Sequence, residues 1–308
     1  MLNITSKLKY KAFGLTISSE WEFPELPVWT GSSEAIDVHV ALENLTDLYH
    51  QLADKPNAFV VQNGLVLFQI PRVGLFAIRE GNRITFFPTA EADPDEVRLL
   101  LLGTCMGALL MQRSIFPLHG SALAINGKAY AIIGDSGAGK STLATAFMNE
   151  GYRLLSDDVI AVSFTPQLEP YVTPSYPQQK LWQESLHHFG RETAPYRSVN
   201  GRADKYCVPV VSQYYEETLP LAGVFELIKS DAQEIKLQRI EKLERFHTLY
   251  YHTYRNFFLP GLGLTEWHFQ TSAHMLRHIG LFRLRRPSSG FTAPQLVSAI
   301  LHTLNGEE

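Results

Sequence analysis

Residues 134–141 constrain the fold more than any other segment, because they follow the spacing G-x-x-x-x-G-K-S. Their three glycines, Gly134, Gly137 and Gly139, let the backbone turn so tightly that successive N–H groups can point at one anion. A short apolar run, 129–133, precedes the segment, and residues 141–148 have the composition of a helix. Strand, glycine loop and helix in this order predict an α/β unit with an anion site at the helix N-terminus.

The side chains of this loop predict a nucleoside triphosphate as its ligand. Lys140 would supply a cation for the β- and γ-phosphates, and the Ser141 hydroxyl can ligate Mg²⁺. ATP and Mg²⁺ are therefore the expected cofactors. The alternative, a glycine turn that matches by chance, has odds on the order of one in a hundred in a chain of this length. The expected nucleotide contacts are Gly134, Asp135, Ser136, Gly137, Ala138, Gly139, Lys140, Ser141 and Thr142.

The composition excludes several other classes of protein. A net charge of −4 gives no electrostatic basis for nucleic acid binding. Cys105 and Cys207 lie far apart without metal-ligand spacing, which predicts buried thiols in a reducing compartment. The apolar stretch 99–111 is too short to span a bilayer, and the N-terminal residues lack the apolar core of a signal peptide. We expect a cytoplasmic protein without a membrane partner, and a homo-oligomer is left open.

The chain divides into a strand-rich N-terminal part and a longer second part. Asp93 as N-cap, Pro94 at the first helical position and Glu96 predict a helix that runs to about residue 113. We therefore predict a small strand-rich domain at 1–92 and a P-loop catalytic domain at 93–308. Short β-branched and aromatic runs predict strands in the first of these, at 13–18, 35–42, 58–62, 65–70, 74–79 and 83–87.

The second part contains further local signals. Asn126 and Gly127 separate two apolar runs and predict a two-residue β-hairpin turn. Residues 152–156 predict the strand that follows the loop helix. The prolines beyond residue 165 predict a stretch of loops. Regular structure is then expected as a strand from about 221, and as helices near 241–256 and 293–303.

Two adjacent carboxylates follow the strand predicted at 152–156. Asp157 and Asp158 would lie at the strand's C-terminal end, where ligands of open α/β sheets bind. One can hold Mg²⁺ while the other accepts the proton of an attacking hydroxyl. The alternatives are a helix N-cap or a solvated turn. Adjacent strand residues face opposite ways, so the pair can divide these roles only if the chain turns there.

Three further side chains are weaker candidates. His119 lies one strand upstream of the loop strand and could approach Asp157, although a packed or surface histidine is equally well supported. Lys205, in the segment 202–206, could meet the γ-phosphate or the substrate, or could be a solvated loop charge. Arg255, in the aromatic segment 250–258, could clamp a phosphate or a peptide carboxylate, although packing is the favoured reading.

Three segments together resemble the catalytic domain of the bacterial HPr serine kinase/phosphorylase family. They are 118–121 (Leu-His-Gly-Ser), the loop 134–141 with an aspartate after its first glycine, and 155–158 (Leu-Ser-Asp-Asp). The resemblance covers roughly residues 115 to 165 well and the remaining C-terminal half weakly. It implies an α/β fold of the HPr kinase and phosphoenolpyruvate carboxykinase type.

The resemblance also implies residue roles. Carried over position by position, Asp157 is the general base toward a serine, and His119 pairs with it. Asp158 contributes to the Mg²⁺ site, to which the loop motif already assigns Ser141, and the loop motif makes Lys140 the catalytic cation for the phosphates.

This sequence departs from the family in one segment. The signature Glu-x-Arg-Gly-x-Gly of the bifunctional enzymes is absent, and 174–185 (Pro-Ser-Tyr-Pro-Gln-Gln-Lys-Leu-Trp-Gln-Glu-Ser) stands in its place. The departure argues against the reverse, phosphorolytic activity and against HPr as the substrate. Segments 10–20 and 174–182 are similar to HPr-kinase-like enzymes encoded with ribosomal peptide biosynthesis, and above all to kinases of lasso-peptide precursors.

The expected function is therefore an ATP- and Mg²⁺-dependent serine kinase. Its expected partner is a precursor peptide, phosphorylated on its C-terminal serine, as the subfamily resemblance implies. One alternative is a P-loop kinase of a small hydroxylated metabolite. The other is a nucleotide-dependent binding or switch module, although a mere binder has no use for a catalytic base.

Overall fold

Within residues 8–31, 35–199, 204–231 and 233–306, which the computed structural model describes, the chain is a mixed α/β protein with two seven-stranded sheets and a three-stranded one. The first sheet has the order β1-β2-β3-β7-β6-β5-β4 and is antiparallel except for the β2–β3 and β3–β7 pairs. It confirms the strand-rich character predicted for the N-terminal part. Its elements are β1 (Leu8–Ala12), β2 (Leu15–Ser19), β3 (Val38–Leu42), α1 (Thr46–Leu52), β4 (Phe59–Gln62), β5 (Leu65–Ile70), β6 (Gly74–Arg79) and β7 (Arg83–Pro88).

The helix predicted after Asp93 is present, with an irregular middle. The Asp93 side chain accepts a hydrogen bond from the backbone N–H of Asp95 at 2.8 Å, as expected for an N-cap. A π-helical turn, Leu101–Cys105, separates α2 (Pro94–Leu100) from α3 (Met106–Gln112). Such turns are rare and recur at functional sites. This one carries Gly103 and Thr104, both of which lie close to the site described below.

The second sheet has the order β11-β10-β8-β9-β15-β17-β16. Its centre is parallel, because β15 pairs in parallel with both β9 and β17, whereas the outer pairs are antiparallel. The predicted turn at Asn126–Gly127 joins β8 to β9, and both turn residues have positive φ. The elements are β8 (Phe116–Ile125), β9 (Lys128–Ile133), α4 (Lys140–Asn149), β10 (Arg153–Phe164), β11 (Pro170–Thr173), β15 (Leu219–Ser230), β16 (Lys236–Arg239) and β17 (Gly280–Pro287).

Regular structure between residues 165 and 220 corrects the prediction of loops there. Two of the prolines lie at strand ends, since Pro170 begins β11 and Pro209 ends β14, whereas Pro166 and Pro195 lie in turns. The three-stranded sheet has the order β12-β14-β13. The elements not yet named are β12 (Gln178–Trp182), α5 (Gln183–His188), β13 (Arg197–Ser198), β14 (Lys205–Pro209), α6 (Glu244–Tyr251), α7 (Phe258–Gly261), α8 (Thr265–Met275) and α9 (Ala293–Gly306).

The strand β10 is longer than predicted, and this moves the two carboxylates. Asp157 and Asp158 lie in the middle of β10, beside β8, rather than at a strand end. The sequence alone did not reveal the continuation, because two ionisable residues within a strand resemble a strand boundary.

The core of the first sheet extends beyond residue 92. Val97, Leu101 and Met106 of the helical segment pack into it, together with Val159 of β10 and Tyr254. The division at 92/93 stays a prediction about chain organisation, since residues from both sides of it form this one cluster of buried side chains.

Gly107 provides a test of this packing. A Cβ at this position would lie 2.5 Å from Cδ1 of Tyr254. Alanine normally stabilises a helix interior relative to glycine by about 1 kcal/mol. Here we expect Gly107→Ala to lower the free energy of unfolding by about 1–3 kcal/mol, because the added methyl group overpacks the contact.

The matched control is Gly306→Ala near the end of α9, where an added Cβ meets nothing within 4 Å. Urea titration of both variants measures the effect. A Gly107→Ala protein at least as stable as the wild type would contradict the packing of Tyr254 against α3.

Candidate active site

A cleft of about 520 Å³ opens where the glycine-rich loop meets β8, β10, β12 and the segment 251–257. Ala138 is the one predicted nucleotide contact outside its lining, and the Ala138 carbonyl instead accepts a hydrogen bond from Arg286 Nε at 3.0 Å. The other site residues predicted from the sequence all line this one cleft. Those that line the cleft are His119, Gly134, Asp135, Ser136, Gly137, Gly139, Lys140, Ser141, Thr142, Asp157, Asp158, Lys205 and Arg255.

The loop has the strand–loop–helix setting that the sequence predicts. It runs from the end of β9 into α4, whose N-cap Gly139 has φ +106°. Gly134 has φ +151°, and a Cβ there would lie 2.5 Å from the carbonyl oxygen of Leu227. Only glycine fits this approach to β15 without a shift. The loop conformation is therefore set by the neighbouring strand as well as by the sequence.

Lys140 is folded into the loop itself. Its Nζ donates hydrogen bonds to the carbonyls of Gly134 at 2.8 Å and Asp135 at 3.0 Å. Burial lowers the pKa of Lys140, although Asp157 and Asp158 act in the opposite direction. The ammonium group is thus bound by two carbonyls of its own loop, with two carboxylates nearby.

Asp157 contacts the first turn of α4. Its Oδ1 accepts hydrogen bonds from Ser121 Oγ at 2.6 Å and from Ser141 Oγ at 3.0 Å, and its Oδ2 accepts one from the Lys180 backbone N–H at 2.9 Å. The residue is 5% exposed. These donors leave the carboxylate fixed beside the loop serine and largely shielded from solvent.

Asp158 has a different environment. Its Oδ2 accepts a hydrogen bond from Lys180 Nζ at 2.7 Å, and its Oδ1 lies 3.4 Å from His119 Nδ1. Burial alone would raise the pKa of Asp158, but Lys180 and His119 outweigh it and hold the pKa well below its usual range. Its side chain is 21% exposed, so Asp158 is the more accessible of the two carboxylates.

A distortion in β10 directs both carboxylates into one cleft. Asp158 has φ +76°, a conformation that non-glycine residues seldom adopt, although aspartate tolerates it better than most. Ser156 Oγ donates a hydrogen bond to the carbonyl of Val159 across the two aspartates. The backbone therefore changes direction at Asp158, which is the condition stated above for Asp157 and Asp158 to lie in one site.

His119 pairs with Asp158, whereas the expected approach was to Asp157. Its Nδ1 lies 3.0 Å from the backbone carbonyl oxygen of Asp158, which can only accept, so Nδ1 carries a proton. Burial lowers the pKa of His119 against the opposing effect of Asp158. Ser141 contacts Asp157, and its expected role with Asp158 in the Mg²⁺ site stays a prediction. The chemical roles of the two aspartates stay predictions.

Lys180 was missed by sequence reasoning. It lies in the segment 174–185 that replaces the family signature, and this departure was the only available signal. Its backbone N–H binds Asp157 and its ammonium binds Asp158, so one residue of β12 holds both carboxylates. Burial disfavours the charged ammonium, but Asp158 more than compensates and raises the pKa of Lys180.

A second group of polar side chains is connected to the cleft through His252, which lines it. Glu226 of β15 is 7% exposed, and its carboxylate contacts His252 Nε2 at 3.1 Å and Arg283 Nε at 2.7 Å. The His252 carbonyl in turn accepts a hydrogen bond from the His119 backbone N–H at 2.8 Å. Arg283 is therefore part of a structural network with Glu226 and Glu244.

The two weaker cationic candidates lie at the rim. Lys205 Nζ is 5.5 Å from the centroid of the Trp182 ring, and Arg202 of the same segment lies outside the described residues. Arg255 is exposed rather than packed, and its Nη2 donates a hydrogen bond to Thr104 Oγ1 at 3.1 Å.

The oxygen atoms near the loop fit a hard divalent cation. Ser141 Oγ and the Asp157 carboxylate are 3.0 Å apart, and Mg²⁺ typically takes one or two protein oxygens together with phosphate and water. Among the residues that the structure describes, no group of three or more His, Cys, Asp or Glu side chains could hold a metal ion.

Comparisons with known proteins do not assign this chain to a family. No protein-family profile matches the chain, and none of the curated protein sequences does. The structure is similar to that of the HPr(Ser) kinase/phosphatase from Coxiella burnetii, at 14% identity over 62% of this chain and 99% of that chain, with a TM-score of 0.33. A TM-score this low does not establish a shared fold. In the described part of the chain, no helix is both long and apolar enough to cross a membrane.

The Lys180–Asp158 pair can be tested through stability. Lys180→Met would leave the partly buried Asp158 carboxylate without its cation, and because its side chain is 21% exposed we expect a loss of about 1–3 kcal/mol, less than for a fully buried pair. The double variant Lys180→Met/Asp158→Asn should recover much of that loss. Lys128→Met, at an exposed position of β9, is the matched control and should change stability by less than about 0.5 kcal/mol.

The same variants predict a pH dependence. In the wild type the pKa of Asp158 is depressed, so its ionised form adds stability above its ordinary pKa of 3.8, and this stability is lost as the pH falls below that value. Without Lys180 the pKa of Asp158 is depressed less, because burial raises it while His119 and Lys205 still lower it. The deficit of Lys180→Met should therefore be largest near neutral pH and shrink at acid pH, as measured by denaturant titration. A deficit independent of pH would contradict the ion pair.

Proposed function

We propose that this protein is an ATP- and Mg²⁺-dependent serine kinase of the HPr-kinase type. It transfers the γ-phosphoryl group to a serine hydroxyl of a peptide, for which the subfamily resemblance suggests the C-terminal serine of a lasso-peptide precursor. The observation that carries the proposal is the contact of the loop serine, Ser141, with Asp157, directly beside a second and more accessible carboxylate, Asp158.

Nucleotide binding is supported by the loop. The N–H groups at the start of α4 and the Lys140 ammonium offer positive charge to the β- and γ-phosphates. Lys140 would exchange its bonds to the Gly134 and Asp135 carbonyls for phosphate oxygens. The backbone N–H groups of the loop are held by the fold beforehand, so they need little reorganisation as charge develops in the transition state.

Metal binding is assigned to Ser141 and Asp157, which is a revision of the expectation from sequence. When bound there, Mg²⁺ would neutralise charge on the β- and γ-phosphates. Asp157 suits this role because it already contacts Ser141 and is shielded from an acceptor by its own hydrogen bonds.

The acceptor hydroxyl is assigned to Asp158, because this carboxylate is accessible from the cleft. As the serine oxygen forms its bond to the γ-phosphorus, the bond from that phosphorus to the bridging oxygen of ADP breaks. The hydroxyl proton passes to Asp158 late in the transfer, since a loose transition state demands little of the base. His119 fixes the orientation of Asp158, and Lys180 compensates its charge.

We expect Lys140→Ala to lose at least about a hundredfold in kcat for ATP-dependent peptide phosphorylation, because it removes a preorganised cation from the phosphate site. Lys128→Ala, at the opposite end of β9, is the matched control. The assay measures the gain of phosphoryl mass on degenerate peptides that end in serine. Near-normal turnover of Lys140→Ala with an unchanged melting curve would contradict the proposed role of the loop.

The two aspartates should separate in calorimetry. Asp157→Asn is expected to weaken Mg²⁺-dependent ATP binding, because it removes a charged oxygen next to Ser141. Asp158→Asn should bind ATP with nearly unchanged affinity yet lose transfer, since the carboxylate acts on the acceptor.

The measurement is titration of ATP with and without Mg²⁺, combined with single-turnover transfer. Equal losses in both variants would refute this division of roles, and the opposite pattern would restore the assignment first made from sequence.

A further inference from the structure

Arg286 lies near the end of β17, on the side of the sheet that carries α4. Phe282 and Leu284 of β17 belong to the same buried cluster as Leu143 and Phe147 of α4. Alternate residues of a strand share one face, so the Arg286 side chain lies on this face as well. The strand therefore directs an arginine toward the helix that begins at the glycine-rich loop.

The guanidinium group of Arg286 contacts the second half of the loop. Its Nε donates a hydrogen bond to the Ala138 carbonyl at 3.0 Å, and its Nη1 donates one to the Pro287 carbonyl at 3.0 Å. A Cβ at Gly139 would lie 3.4 Å from Nη2 and 3.8 Å from Cζ of the arginine. The planar group thus lies against the Ala138–Gly139 peptide unit, and two hydrogen bonds fix its orientation.

The Ala138–Gly139 peptide unit contributes a donor to the phosphate site. In loops of this type the backbone N–H groups hold the α- and β-phosphates. In the described part of the chain the Gly139 N–H donates to no acceptor, whereas the carbonyl of the same peptide unit accepts the bond from Arg286. A hydrogen bond at the carbonyl holds the plane of the peptide and polarises its N–H, which strengthens it as a donor. The contact with Arg286 therefore prepares this N–H for an anion.

The charge of Arg286 is not balanced by an ion pair. Arg197 and Arg283 each pair with two carboxylates, but within the described ranges no carboxylate lies at ion-pair distance from Arg286. Burial lowers the pKa of Arg286, and Glu184 acts in the opposite direction. The N-terminus of α4 carries positive potential of its own and has no acidic residue in its first turn. Two positive groups side by side repel each other, and a polyphosphate bound at the loop attracts both.

We propose that Arg286 is a positioning residue of the nucleotide site, which orients the Gly139 N–H toward the phosphates and adds a second positive charge to that of Lys140. The inference rests on the proposed kinase function and adds a residue that acts through the loop. Arg286 is not among the residues that line the cleft, so it acts through the Ala138–Gly139 peptide rather than on the reacting atoms. This peptide would hold the phosphates before and during transfer alike, so Arg286 contributes to nucleotide affinity and little to kcat.

Calorimetry with MgATP and with magnesium tripolyphosphate, which lacks the nucleoside, tests the proposal. Arg286→Gln should bind both about tenfold more weakly, because a charge and a charge-assisted hydrogen bond are lost. In phosphorylation of serine-ending peptides its KM for ATP should rise by a similar factor, with kcat within about twofold of the wild type. Arg286→Lys keeps the charge without the planar fork and should lose only about threefold. The matched control is Arg285→Gln, on the opposite face of β17, which should bind as the wild type does.

The outcomes separate this role from the proposed function. Wild-type affinity of Arg286→Gln for both ligands would overturn the positioning role and leave the kinase function in place. A loss with MgATP alone would also overturn it, because Arg286 would then act on the nucleoside, and so would a fall in kcat with an unchanged KM. If Arg286→Gln does not fold, Arg286→Lys decides, since wild-type affinity of that variant would overturn the contact. A wild-type protein that binds neither ligand would overturn the kinase function, and the role of Arg286 with it.

Discussion

The arrangement of the candidate site depends on the buried contact between Lys180 and the two aspartates. Its backbone N–H fixes Asp157 and its ammonium group fixes Asp158, so both carboxylates are positioned by one residue of β12. Two adjacent anions in a partly dry cleft would otherwise repel each other and favour protonation of one. The Lys180 ammonium offsets this repulsion at Asp158, whose pKa it holds well below its usual range.

The distortion of β10 is what allows Lys180 to contact both aspartates. In a regular strand the side chains of Asp157 and Asp158 would point to opposite faces. The left-handed conformation of Asp158 brings both into the cleft, one toward Ser141 and the other toward His119. The same fold thus separates two environments that differ in exposure and in hydrogen-bond partners, although the residues are neighbours in sequence.

The sequence predicted the parts of this site that depend on local chemistry. The glycine loop, its flanking strand and helix, the turn at Asn126–Gly127 and the cap at Asp93 are each encoded by consecutive residues, and the structure agrees with them. It could not predict Lys180, because its partners lie more than 20 residues away. Nor could it predict that His119 meets Asp158 rather than Asp157, because that choice depends on the register of β10 against β8 and on one backbone dihedral.

The segment around Arg255 belongs to two parts of the molecule at once. Tyr254, Phe258 and Leu259 are buried in the core of the first sheet, whereas the residues between them line the cleft. A shift of that sheet would therefore move one wall of the cleft relative to the glycine loop. A ligand that contacts both this wall and the loop would therefore bind more tightly to one position of the sheet than to others, and its binding would stabilise that position. Ligands bound at this wall and at the loop would then influence each other's affinity through the position of the strand-rich sheet.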